Sequence, residues 1–126
     1  METTLGELSI ALDRAEDGVL HVRLGGKSSS RDAGKVLAPV FDEILAAGAA
    51  ERRDIALHFE RLEYFNSSTI AALIQFARAA QDRGASLTVS YDGRQRWVTM
   101  SFDALRRALK PPADGRPGVR FVSLAD

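Results

Sequence analysis

Asn66, Ser67, Ser68 and Thr69 place an amide and three hydroxyls where an apolar strand pattern gives way to an amphipathic helix pattern. A helix N-terminus has unpaired backbone N–H groups and a partial positive charge, so an anion held there is stabilised. A serine at such a mouth is a candidate phosphate acceptor. Phosphorylation would add about −1.5 to −2 charge units and several acceptor oxygens, changing what docks on that surface without refolding. The same residues have a plain structural use, because Asn and Ser are favoured N-caps. Asn66 or Ser67 would then cap the helix, although neither has the Glu or Gln that completes a capping box.

Other chemistry-bearing residues form less complete patterns. Gly26-Lys27-Ser28 lies between a strand and a helix, as the end of a phosphate-binding P-loop does, but His21 occupies the position where that loop needs its first glycine. A polar loop with Lys27 facing a phosphate or an acidic partner is the better reading. His21 and His58 alternate with apolar residues along strands and have no third ligand at metal-binding spacing. Gly-x-Ser-x-Gly is absent, and the carboxylates at Asp42-Glu43 and at Glu60 and Glu63 read as solvated charge. The pattern points away from an enzyme and calls for no cofactor. Arg94, Arg96, Arg106, Arg107 and Lys110 make a basic segment around Trp97 and Phe102, which are either core aromatics or exposed anchors.

Composition narrows the field further. A chain of 126 residues, 45% hydrophobic, is expected to form one domain spanning 1–126 around a sizeable core. Seventeen basic residues balance seventeen acidic ones, so no global field would draw it to nucleic acid or an anionic membrane. It has no cysteine, hence no disulfide, thiolate zinc site or cysteine nucleophile. The N-terminal residues lack a basic start and an apolar core, and no apolar run approaches the roughly 18 residues of a membrane span. A soluble cytoplasmic protein is expected.

The elements that must position Asn66–Thr69 follow from periodicity. Leu8, Ile10, Leu12 and then Leu20, Val22, Leu24 alternate about a Glu16-Asp17-Gly18 turn and predict an opening β-hairpin. After a loop from Gly25 to Ser30, helical spacing predicts a helix from about Asp32 to Ala47. Pro39 lies either in its early turns or at a kink. Ile55, Leu57 and Phe59 begin a strand that runs through Leu62 and Tyr64 to the hydroxyls. Ile70, Leu73, Ile74 and Ala77 mark a helix ending near Gly84. A strand at Leu87–Tyr91, an Asp92-Gly93 turn, a helix through Trp97, Ser101, Leu105 and Ala108 closed by Pro111-Pro112, and an edge strand at Val119–Leu124 complete the order β-β-α-β-α-β-α-β. That order is an α/β fold: a mixed, mostly parallel sheet with an N-terminal hairpin and crossover helices.

This ordering, together with Asn66-Ser67-Ser68-Thr69-Ile70 at a strand-to-helix junction, resembles the STAS domain of bacterial anti-sigma-factor antagonists over nearly the whole chain. Those antagonists end the strand in Asp-Ser-Ser-Gly or Asp-Ser-Thr-Gly, and a partner kinase phosphorylates the serine after the aspartate; the matching residue is Ser67. Here Asn66 replaces the aspartate and Thr69 the glycine. The variant is more similar to the SiaC-type subgroup of phosphorylatable STAS-like regulators. The hairpin, the Gly-Lys-Ser segment, Ala38-Pro39-Val40-Phe41 and Tyr91-Asp92 agree with that subgroup.

The resemblance implies a partner-switching signalling regulator. Ser67 would be the phosphorylated residue, Ser68 the runner-up, and Asn66, Ser67, Ser68, Thr69 and Lys27 the partner-binding set. A serine/threonine kinase of the anti-sigma type would act on it and a PP2C-type phosphatase would reset it. The target is an anti-sigma factor or a diguanylate cyclase. The alternative is a STAS module that binds a small ligand or nucleotide without phosphorylation. An amide at Asn66 cannot accept a proton as a general base, so the base for phosphorylation would come from the kinase.

Overall fold

The computed structural model describes residues 2–109 and 119–124. Six strands form one sheet in the order β1-β2-β3-β4-β5-β6: Glu2–Leu5, Leu8–Arg14, Val19–Ser28, Asp54–Phe65, Leu87–Asp92 and Val119–Leu124. The first three strands are an antiparallel meander, and β3 to β6 run parallel. Each parallel step is bridged by a helix: α1 (Ala33–Glu51), α2 (Ser67–Asp82) and α3 (Arg96–Ala108). The expected mixed, mostly parallel sheet with crossover helices is therefore the observed fold.

Alternation decides which face of the sheet the helices cover. Leu20, Val22 and Leu24 on β3, Ile55, Leu57 and Phe59 on β4, and Leu87, Val89 and Tyr91 on β5 are all buried. Against them pack Phe41 and Phe76, whose rings lie 4.8 Å apart between α1 and α2, and Phe102 of α3, which stacks on Tyr91 at 4.7 Å. The intervening residues, including His21, Arg23, His58 and Ser90, line the face without helices.

Four details differ from the sequence reading. Glu2–Leu5 is an additional edge strand, turned onto β2 through Gly6 at φ 63°. Only four residues long and with one large apolar side chain, it carries almost no period-two signal. The segment Gly25–Ser28 continues β3 instead of forming a loop, with register shifts between Arg23 and Gly25 and between Gly26 and Lys27. Gly26 adopts φ 84° there, and a Cβ on it would collide with the Glu7 carbonyl.

Helix α1 begins at Ala33 and continues to Glu51, about one turn beyond the expected end. Pro39 falls within its second turn, and the backbone bond it removes would have reached the carbonyl of Lys35. Both residues are exposed, so solvent can serve that carbonyl. Trp97 and Ser101 do not mark the core face of α3; Val98, Phe102 and Leu105 do. Pro111-Pro112 and Lys110 lie outside the described residues.

Candidate functional site

The C-terminal end of β4 delivers Asn66 as the N-cap of α2. Its backbone is extended (φ −102°, ψ 179°), and its side-chain oxygen accepts the Thr69 backbone N–H at 3.0 Å. The Asn66 amide donates to the Ser30 carbonyl at 2.9 Å, which fixes its orientation because a carbonyl can only accept. Thr69 is 2% exposed and donates its hydroxyl to the same Asn66 oxygen at 2.8 Å. With that proton committed, the buried Ser28 hydroxyl must donate to Thr69 across their 2.6 Å contact. Ser28–Thr69–Asn66–Ser30 is thus a directed hydrogen-bond chain that ties the end of β3 to the start of α2.

The other two hydroxyls have different surroundings. Ser68 is half-buried, and its oxygen accepts the Gly34 backbone N–H at 2.9 Å. Gly34 is the second residue of α1, whose own N-cap, Asp32, makes no side-chain capping bond. The first turn of α2 therefore caps the first turn of α1, and two positive helix ends meet at this point. A Cβ on Gly34 would come within 3.2 Å of both the carbonyl and the hydroxyl oxygen of Ser68, so the close approach depends on glycine. Ser67 opens α2 as its first helical residue. It is exposed, and among the described residues its hydroxyl has no side-chain hydrogen bond.

Charges of both signs surround this junction. Arg31 and Lys35 line a groove between α1 and α2 that also includes Ser68, with Asp32 and Asp42 as its acidic members. Lys27 is exposed on β3 and lines a separate cleft with Ser28, Ser29, Ser30, Leu5 and Val36. Gly26-Lys27-Ser28 is strand backbone, so the loop that would wrap a nucleotide phosphate does not form there.

Sequence reasoning placed Asn66–Thr69 at the helix mouth but did not reach Ser28, Ser30 or Gly34. The run Ser28-Ser29-Ser30 and a glycine two residues into a helix were the available signals. Their relevance depended on α1 and α2 starting side by side. His21 and His58 also meet, on the sheet face without helices, with a 2.8 Å contact between ring nitrogens. Among the described residues, no group of three or more His, Cys, Asp or Glu side chains is arranged to hold a metal ion. No described helix is long and apolar enough to cross a membrane.

No family model and no curated protein matches this chain. Solved structures do match. SiaC of Pseudomonas aeruginosa superposes with a TM-score of 0.71 at 18% identity, covering 100% of this chain and 98% of that one. SiaC in complex with the diguanylate cyclase SiaD, which it activates, gives 0.64 at 18% identity over 98% and 99%. The anti-sigma factor antagonist SpoIIAA in its unphosphorylated form gives 0.59 at 13% identity over 91% and 88%. The fold is STAS-like, with SiaC and anti-sigma factor antagonists as neighbours. These neighbours are regulatory proteins.

Proposed function

We propose that this protein is a partner-switching signalling regulator whose binding to a target protein is controlled by reversible phosphorylation of Ser67. The observation that carries the reading is the contrast within the hydroxyl cluster. Ser67 is exposed and unengaged at a helix mouth, whereas Ser68 caps α1 and Thr69 is buried. A kinase can reach Ser67 without breaking a hydrogen bond to its hydroxyl; Ser68 would first have to release Gly34. Ser68 is accordingly the runner-up acceptor. Thr69 acts through the shape it imposes on the junction, and Lys27 contributes charge to the surrounding surface.

A serine/threonine kinase of the anti-sigma type would modify Ser67 and a PP2C-type phosphatase would reset it, in the cytoplasm. The target is an anti-sigma factor or a diguanylate cyclase; likeness to SiaC, which activates SiaD, supports the second. Two added negative charges carried into a desolvated interface that was built for a neutral serine cost several kcal/mol, enough for about a hundredfold loss of affinity. Catalysis and a resident cofactor have no part in this scheme.

Phosphosite mapping by mass spectrometry on protein recovered from its native cells, with and without phosphatase treatment, tests the proposal. A single phosphate on Ser67, absent from a Ser67→Ala variant, is the expected result. Unmodified protein under all growth conditions, with no labelling by a candidate kinase, would favour constitutive binding of a small ligand or nucleotide. A melting-temperature screen against a nucleotide panel would detect that alternative.

A further inference from the structure

Helix α3 has apolar side chains on two faces. Val98, Phe102, Leu105 and Leu109 occupy the core side and are buried. Trp97, Met100 and Ala104 recur at i, i+3 and i+7 on the other side, with Met100 62% and Trp97 38% exposed. Tyr64, 47% exposed at the end of β4, extends this ridge: its ring lies 6.3 Å from that of Trp97, and Phe65 packs against Trp97 at 5.1 Å. A surface helix normally spends its second face on polar residues, so a contiguous exposed apolar ridge marks a contact surface.

Its electrostatics identify what would cover it. Arg96 is the first residue of α3, and that turn contains no acidic residue and receives no side-chain cap from Gln95. A cation at the positive end of a helix is unfavourable, so the folding of α3 gives no reason for Arg96 to be there. Arg106 and Arg107, in the last turn, do suit the helix dipole, and Arg106 also pairs with Asp103 at 3.0 Å. Arg94 is held on Asp92 at 2.9 Å. Arg96 thus adds exposed positive charge beside Trp97 at an end already short of negative charge. A second copy of this chain would bring the same positive end to a two-fold contact, which disfavours self-association.

We propose that Tyr64, Trp97 and Met100, with Arg96, dock a partner segment whose apolar side chains at helical spacing are interleaved with carboxylates. The inference rests on the partner-switching reading and names the chemistry of the partner. Two residues of chain, at most about 7 Å, separate Phe65 from Ser67. The ridge therefore begins beside the switch, and a phosphate on Ser67 would repel carboxylates of a docked segment at that near edge, where screening at physiological salt has a length of about 8 Å.

The test needs neither kinase nor phosphate, so its failure would leave Ser67 phosphorylation to be decided by mass spectrometry. A display library of random peptides of about 16 residues, long enough for a marginal helix, is selected on the intact unmodified protein. The expected winners carry Leu, Ile or Phe at i, i+3 or i+4, and i+7, interleaved with Asp or Glu. Synthetic copies should shift the emission of Trp97, the one tryptophan in the chain, to the blue. They should bind Met100→Asp and Arg96→Glu about tenfold or more weakly. Both positions are exposed, so the variants should fold, and matching circular dichroism spectra would establish that. Basic winners, winners that leave Trp97 emission unchanged, or equal affinity for both variants would overturn the proposal. Concentration-dependent self-association through this ridge would also overturn it.

Discussion

Ser68 accepts the backbone N–H of Gly34 at 2.9 Å, so the helix that follows β4 supplies the cap that Asp32 does not give to the helix that follows β3. The switch region is therefore a junction of two helix ends rather than a loop. Its residues divide into those that hold the junction and one, Ser67, that is left on its surface.

Removing the Ser68 hydroxyl should destabilise the protein without touching the proposed acceptor. Ser68→Ala leaves the Gly34 N–H without its partner, a loss comparable to an N-cap deletion, about 1 kcal/mol. Urea denaturation should show it as a lower midpoint with an unchanged slope. Ser67 should still be phosphorylated in this variant.

Asn66 has two duties that a carboxylate can only half perform. Aspartate keeps the acceptor for Thr69 and adds favourable negative charge at the mouth of α2, but it cannot donate to the Ser30 carbonyl. Asn66→Asp should speed hydrogen exchange in the Ser29–Asp32 segment and slow phosphorylation of Ser67 by adding a charge beside it. Asn66→Ala loses both duties and should cost about 1–2 kcal/mol in denaturant unfolding.

Ser67→Glu separates loss of binding from loss of fold. A negative side chain in the first turn of α2 should be neutral or stabilising by about 0.3–1 kcal/mol, so the melting temperature should not fall. Target affinity, measured by calorimetry, should nevertheless drop sharply, while Ser67→Ala should stay bound.

His58, which meets His21 on the sheet face without helices, gives stability a pH dependence near neutrality. Asp17 accepts from His21 Nε2 at 2.9 Å, and His58 Nδ1 lies 2.9 Å from a Ser90 hydroxyl that is in close contact with Glu60. Arg23 adds a further positive charge near His58. Burial, opposed in part by Glu60, pushes His58 below its ordinary range. Its neutral form is thus favoured by folding. That contribution is complete above about pH 6.5, the unfolded value, and is lost as the pH falls from there toward the folded value. Denaturation midpoints should decline from pH 7 to pH 5 in the wild type and decline less in His58→Gln. A second decline, below about pH 4, belongs to carboxylates such as Asp92, which Arg94 holds at about 2.

Phe102 links the core to the switch. Its ring contacts Tyr91, Phe59 and Phe65, and Phe65 leads directly into Asn66. Phe102→Ala should cost about 3–5 kcal/mol by thermal unfolding, because the ring is 1% exposed and its removal opens a cavity among its aromatic neighbours.

The sequence by itself determined the order and type of most elements. The period-two runs at Leu8–Leu12, Leu20–Leu24 and Ile55–Phe59, the helical spacing after Asn66, and Gly84 as a helix stop are local signals written in adjacent residues. Gly84 indeed closes a Schellman turn, with its N–H on Gln81 and that of Ala85 on Ala80. The candidate acceptor was legible for the same reason, since a hydroxyl run at a strand-to-helix junction needs no distant partner to be seen.

Only the tertiary structure decided which hydroxyl stayed free. Ser67, Ser68 and Thr69 are chemically alike, and their fates differ because Gly34 and Ser28, 34 and 41 residues away in the chain, meet two of them and not the third. The same holds for Trp97 and Phe102, five residues apart on one helix and equally apolar. The sheet meets one face of α3 and buries Phe102, and Trp97, on the other face, is left half exposed. Spacing along a chain states which residues share a face, but contact between elements determines which face is covered.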